Sequence, residues 1–202
     1  PMVARLPKSW YLNGPGAGLP ARRAWIVVAT CLPICLAAGA TPGIQIAHAG
    51  RKASANRPWE GDDHIVDGDA RGWETIAPSA IAFGGDLGKV PTEMPKADIL
   101  RVQQDFVDAA ERARDAGFEW LMLHFAHGYL AQSFFSIHSN QREDEYGGSA
   151  ENRGRFLLET LAAVRKVWPE DRPLTARFGV IEFDGRDEET LKESIALVSR
   201  FR

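Results

Sequence analysis

Trp120-Leu121-Met122-Leu123-His124-Phe125-Ala126-His127-Gly128-Tyr129 is an apolar run that closes on two histidines and a tyrosine. Its first six residues predict a buried β-strand over 120–125. Polar side chains at the carboxyl end of a buried parallel strand are where α/β barrels build their active sites. Residues three apart on an ideal strand point to opposite faces. His124 and His127 therefore converge only if the strand stops near Phe125 and the chain turns, and Gly128 supplies the freedom for such a turn. Two neutral imidazoles would then offer two N–H donors to one electronegative atom, and Tyr129 a phenolic O–H. Such a set polarises a carbonyl or nitro group and protonates a neighbouring carbon.

Upstream, Gly43-Ile44-Gln45-Ile46-Ala47 follows Thr41-Pro42 and suits a buried parallel strand. Residues 50–94 are rich in Gly, Pro, Asp and Arg and include Trp59 and Trp73. They predict a long surface excursion, which in a compact domain is usually functional. A helix is expected from near Pro95, with Ile99, Val102, Phe106, Ala109 and Ala113 along one face and Gly117 at its stop. Downstream, residues 126–148 predict a polar excursion. A helix follows from Ser149, with Phe156, Leu157, Leu161, Val164 and Val167 inward and Pro169 beyond its end. Leu174 to Val180 predicts a third strand, and Asp187 is expected to cap a last helix carrying Leu191, Ile195 and Val198 inward. Strands alternating with helices imply a parallel sheet with right-handed crossovers, doubly wound or barrel. No G-x-G-x-x-G follows a strand, which weighs against a dinucleotide-binding Rossmann domain.

The 202 residues, 45% hydrophobic and 25% charged, fit one globular domain. A net charge of -3 gives no electrostatic reason to expect nucleic acid or an anionic membrane as partner. Cys31 and Cys35 make no disulfide framework, which fits a reducing, cytoplasmic setting. The H-x-x-H spacing is not the i,i+4 spacing of a helical metal pair. No third ligand is obvious although His48 and His138 exist, so no metal is expected. Residues 1–38 read as an unrelated lead-in. Arg22 and Arg23 before the uncharged run Ala24 to Ala40, which ends Ala38-Gly39-Ala40, give it a signal-like look. Pro33 interrupts that run, which falls short of the roughly 20 apolar residues of a spanning helix.

Four motifs occur in order: His48-Ala49-Gly50-Arg51-Lys52-Ala53-Ser54, His124 to Tyr129, Ser139-Asn140-Gln141-Arg142-Glu143-Asp144-Glu145-Tyr146-Gly147-Gly148-Ser149, and Glu151-Asn152-Arg153-Gly154-Arg155-Phe156. Together they closely resemble the Old Yellow Enzyme family of flavin oxidoreductases. The nearest branch is that of the bacterial xenobiotic reductases, in which the second substrate-holding residue is His rather than Asn. Leu174 to Val180 also looks like that branch, and the similarity runs from near Gly39 to Arg202. The resemblance implies a TIM (β/α)8 barrel with FMN at the carboxyl ends of its strands, residues 39–202 supplying about strands 3 to 5. NADPH or NADH would load the flavin, which would reduce a small enone, enal or nitro compound, as ene-reductases do. By the same resemblance Gln45 matches the glutamine on the flavin pyrimidine edge, and Arg177 the arginine near flavin N1 and O2. His124 and His127 match the pair that grips the substrate oxygen, and Tyr129 the proton donor. Lys52 and Trp59 match residues of the neighbouring excursion and are assigned to substrate binding. Full-length members can form homo-oligomers.

Some positions depart from the pattern. Pro95 stands where the family usually places a capping Thr or Ser, and Glu143 and Ala150 replace a Thr and an aromatic residue. Arg142, Asp144, Tyr146, Arg153 and Arg155 read as a structural network rather than as catalysts. The family's first two strands and its phosphate-binding last strands have no counterpart in the sequence, so the isolated chain is expected to hold FMN weakly. The alternative reading is a non-catalytic barrel fragment, or a module that a second chain completes.

Overall fold

The computed structural model describes residues 32–201. Arg22, Arg23 and Cys31 of the expected lead-in lie outside the described residues. In chain order the elements are α1 (32–37), β1 (Gly43–Ile46), β2 (Ile76–Ala77), β3 (Thr92–Glu93), α2 (Lys96–Ala116), β4 (Trp120–Phe125), α3 (Leu130–Phe135), α4 (Ala150–Val167), β5 (Leu174–Phe178) and α5 (Asp187–Val198). β1, β4 and β5 form one parallel sheet with β4 in the centre. Ile44 pairs with Leu121 and Gln45 with Met122, while His124 pairs with Arg177. β2 and β3 make a separate two-stranded parallel pair inside the 50–94 excursion.

Alternation along β4 sorts its side chains. Leu121, Leu123 and Phe125 are fully buried on the helix-covered face, in one core with Val102 and Phe106 of α2 and Phe156 and Leu157 of α4. The Phe106 and Phe125 rings meet edge to face at 6.5 Å. Burial of each such side chain contributes about 1.5–3 kcal/mol. A slip of one residue would expose all three, so the register is fixed. The opposite face carries Gly43, Gln45, Trp120, Met122, His124, Thr175 and Arg177 and is open, Trp120 being 41% exposed. There Trp120 Nε1 donates to Thr175 Oγ1 at 2.8 Å.

The helices begin and end for local reasons. Gly117, at φ 96°, takes the left-handed conformation that closes α2. Pro95 precedes the first turn without a side-chain cap. Ser149 accepts from the Asn152 N–H at 3.2 Å and starts α4.

Three expectations are corrected. The 126–148 excursion is not wholly polar: it contains α3, all six of whose residues are buried. Phe134 stacks on Phe156 of α4 at 4.4 Å, so this helix is a core element. α5 is rotated from the expected face: Leu191, Ile195 and Val198 are 42%, 59% and 42% exposed, whereas Ser194 and Leu197 are buried. The cause is Gly154 on α4, where an added Cβ would sit 2.6 Å from Leu197 Cδ1. Leu197 fills that gap and fixes the rotation. Asp187 is the first residue of α5 rather than its cap, and its Oδ1 accepts from the N–H groups of Glu182 and Phe183 at 3.1 and 3.0 Å.

The arginine-rich stretch is structural, as expected. Arg142, its side chain only 7% exposed, donates to the Pro78 and Met94 carbonyls at 2.9 and 2.7 Å and pairs with Asp144 at 2.5 Å. It thereby ties the 50–94 excursion to the 126–148 segment and holds the Asp144 carboxyl below its ordinary range. Asn140 Nδ2 bridges the Phe134 and Tyr146 carbonyls at 2.6 and 2.7 Å. Tyr146 Oη donates to Glu159 at 2.8 Å, and Arg153 joins the Phe135 carbonyl to Glu193 of α5. Removing one partner of a buried pair leaves the other uncompensated. Arg142→Ala should therefore lower unfolding free energy by about 3 kcal/mol, read as a reduced urea midpoint at unchanged slope. A loss below about 1 kcal/mol would put Arg142 among ordinary surface pairs.

Candidate active site

The strand-to-helix turn after β4 builds the site. Past Phe125 the chain reverses through two left-handed residues, His127 at φ 61° and Gly128 at φ 69°. A non-glycine residue there carries a cost of roughly 1–2 kcal/mol, so its surroundings must hold it. Gln132 Oε1 accepts from the Gly128 N–H at 2.8 Å, and Ser133 Oγ donates to the Gly128 carbonyl at 3.2 Å. Lys52 Nζ donates to the His127 carbonyl at 3.3 Å. A Cβ on residue 128 would lie 2.7 Å from Phe83 Cε2, so any other residue there would displace the Phe83 ring as well as strain the backbone.

This turn brings His124, His127 and Tyr129 together. The ring of His124 lies 4.9 Å from that of His127 and 4.8 Å from that of Tyr129. His124 is buried and His127 exposed. His124 Nδ1 accepts from the Ala126 N–H at 3.2 Å. That bond leaves the proton of the neutral ring on Nε2, as an available donor. Burial, then the neighbouring His127 and Arg177, push the His124 pKa below the ordinary histidine value, so the ring is neutral near pH 7.

Gln45 and Arg177 lie on the same open sheet face. Gln45 Nε2 donates to Met122 Sδ at 3.5 Å, and Arg177 is exposed beside His124 on the neighbouring strand. Lys52 reaches the site: its Nζ sits 4.4 Å over the Phe83 ring and 5.7 Å from that of Tyr129. Trp59 does not. It is 79% exposed on a 3-10 turn, Pro58–Glu60, with the Arg57 guanidinium 5.9 Å over its ring.

The other histidines have structural partners. His48 Nδ1 accepts from the Gly50 N–H at 3.0 Å, and burial lowers its pKa to about 4. His64 Nδ1 accepts from the Lys89 N–H at 2.9 Å while its Nε2 meets the Arg51 carbonyl at 3.1 Å, so it ties two parts of the 50–94 excursion. His138 Nε2 bonds Asp184 at 2.6 Å with Glu182 at 3.9 Å, joining the segments after β4 and β5. Sequence reasoning missed Gln132, Ser133 and Phe83, which hold the turn. Glutamine and serine in an apolar hexapeptide, Leu130 to Phe135, were the available signal.

The donors on this face fit a flavin. The Gln45 amide can both give and accept, as a pyrimidine edge would need, and Arg177 is a cation that would suit the negative charge of a reduced isoalloxazine. A parallel α/β sheet with polar groups gathered at its strand ends is what part of a (β/α)8 barrel presents. The chain belongs to the NADH:flavin oxidoreductase / NADH oxidase family, which it matches over residues 36–199. It is 45% identical over 164 residues to the NADPH dehydrogenase of Geobacillus thermodenitrificans, covering 81% of this chain and 42% of that protein. With an NADH:flavin oxidoreductase of Gibberella zeae it shares 43% identity over 157 residues, 75% of this chain and 38% of the relative. The chain thus spans about two fifths of the length of these relatives. Among solved structures, a 2-naphthoyl-CoA reductase in complex with 2-naphthoyl-CoA superposes with a TM-score of 0.73 at 28% identity, over 92% of this chain and 28% of that one. Histamine dehydrogenase from Rhizobium sp. 4-9 does so at 0.62 and 32%, over 79% and 22%.

The electrostatics give a direct test. An NMR titration of the imidazoles should show His124 titrating below the ordinary histidine value, and Arg177→Gln should raise its pKa because one opposing positive charge is gone. A His124 that titrates at or above the ordinary value of about 6.5 would contradict this geometry.

Proposed function

We propose that this chain provides the substrate-gripping and part of the flavin-holding face of an FMN-dependent oxidoreductase, which passes a hydride from NADPH or NADH to an activated alkene or nitro compound. The carrying observation is the convergence of His124, His127 and Tyr129 at the end of β4, beside Gln45 and Arg177 on one sheet face. Bound FMN would supply the hydride chemistry, accepting from the nicotinamide and giving to carbon. The residues do the rest. His124, neutral and donating through Nε2, holds the substrate carbonyl or nitro oxygen, and His127 makes the second contact. Their N–H groups stabilise the negative charge that grows on that oxygen when the adjacent alkene takes up hydride. Tyr129 Oη then delivers a proton to the neighbouring carbon, completing a net addition of hydride and proton. Gln45 orients the cofactor's pyrimidine edge, Arg177 stabilises charge there, and Lys52 supports the turn and the substrate.

The family and the NADPH dehydrogenase relatives support this reading, and the naphthoyl-CoA complex of the structural neighbour is in keeping with conjugated carbonyl substrates. Among the described residues no helix is long and apolar enough to cross a membrane. A second reading, a module completed by another chain, is favoured by an apolar groove beside β5 lined by Leu158, Leu161, Leu174, Ala176, Phe178 and Phe201. One FMN per purified full-length chain would favour the first reading, and flavin bound only after a second polypeptide is added would favour the other.

Rapid-mixing kinetics test the roles. Tyr129→Phe should slow enone reduction by about 10²–10⁴-fold and leave flavin reduction by NADPH nearly intact, since only alkene reduction needs its proton. Collapse of the nicotinamide step instead would give Tyr129 another role. His124→Ala should also weaken binding of a carbonyl ligand by about 1.5–3 kcal/mol.

A further inference from the structure

A cleft of about 500 Å³, partly open to solvent, adjoins His127. Phe83 contributes one part of its lining, from the 50–94 excursion, and Ile181 and Phe183 contribute another, from the segment between β5 and α5. All three are large apolar side chains left in contact with water, at 40%, 40% and 84% exposure.

Phe83 is held at its ring and Phe183 at its backbone. Phe183 has φ 57°, the left-handed region that a bulky residue enters only at a cost. Asp187 Oδ1 accepts from the Glu182 and Phe183 N–H groups and so maintains that turn, while the His138–Asp184 bond ties it to the segment after β4. Phe83 is fixed by Lys52 Nζ at 4.4 Å and the Arg51 guanidinium at 5.3 Å from its ring centroid, and by its close approach to Gly128. Arg51 is itself anchored to the Ile81 and Ala82 carbonyls at 3.2 and 2.9 Å. A strained backbone that presents an aromatic ring to solvent does nothing for the core. Such strain persists where it serves a site.

We propose that Phe83, Ile181 and Phe183 form an apolar subsite for a planar aromatic group of the substrate, continuous with the oxygen-gripping position at His127. The favoured substrates are conjugated carbonyl or nitro compounds bearing an aryl substituent, rather than small aliphatic ones. This rests on the reading of His124, His127 and Tyr129 given above, and deepens it by naming the substrate class. Apolar walls near the reacting end favour a ring that can leave water, and ring–ring contact adds to that burial.

The test compares Phe183→Ala, Phe183→Tyr and wild type in the flavin-loaded full-length protein. Phe183 is far outside the core, so its truncation should fold. With NADPH as donor, kcat/KM for cinnamaldehyde should fall about tenfold in Phe183→Ala, stay within about twofold for acrolein, and recover in Phe183→Tyr. Equal losses for both aldehydes, or no loss for either, would overturn the subsite while leaving the proposed function standing. Binding of the fluorescent, non-reducible 2-naphthaldehyde gives a readout free of turnover. Its dissociation constant should rise about tenfold in Phe183→Ala. If wild type reduced neither aldehyde but showed that rise, the subsite would stand and the proposed reaction would fail. An unchanged constant would sink the subsite.

Discussion

The alternation of six side chains along β4 sets the rest of the structure. Leu121, Leu123 and Phe125 must all be buried under α2 and α4, which commits Trp120, Met122 and His124 to the opposite face. β4 is also the middle strand, so its register places Gln45 on one flank and Arg177 on the other. An amide, an imidazole and a guanidinium thus reach one surface because three apolar residues must reach the other. Nothing about the polar groups themselves imposes that arrangement. The hydrophobic terms, about 1.5–3 kcal/mol for each buried side chain, outweigh any attraction among them.

The second constraint is conformational. His127 can join His124 only through a left-handed turn, and that turn is maintained by groups from three segments: Lys52, Phe83, and the pair Gln132 and Ser133. Those segments are in turn locked by buried polar bonds. Arg142 holds the excursion that carries Phe83, and His48 and His64 brace the stretch around Lys52 with neutral rings. The turn is therefore braced from several sides, which would suit the proposed stabilisation of a developing oxyanion.

Much of this was legible in the sequence. The strands announced themselves as short apolar runs, Gly117 and Ser149 as helix signals, and the His124–Tyr129 turn through Gly128. The motifs named the family, which the match over residues 36–199 bears out. What stayed hidden depends on a partner in another element. The rotation of α5 follows from the gap at Gly154, which no periodicity within α5 reveals. α3 reads as loop because Gln132 and Ser133 dilute its apolar residues, yet both are buried and bonded to the turn. Trp59 shares its motif neighbourhood with Lys52, but seven residues of chain carry it to an exposed tip.

On the proposed function, a flavin would occupy the open face bearing Gln45, His124 and Arg177. The midpoint potential of FMN bound to the full-length protein tests it most directly. Removing a cation from beside the reduced ring should make reduction harder, so Arg177→Ala should lower the potential by about 30 mV or more, the two-electron equivalent of roughly 1.4 kcal/mol. A bound flavin whose potential is the same in wild type and Arg177→Ala would place the cofactor elsewhere and contradict the account.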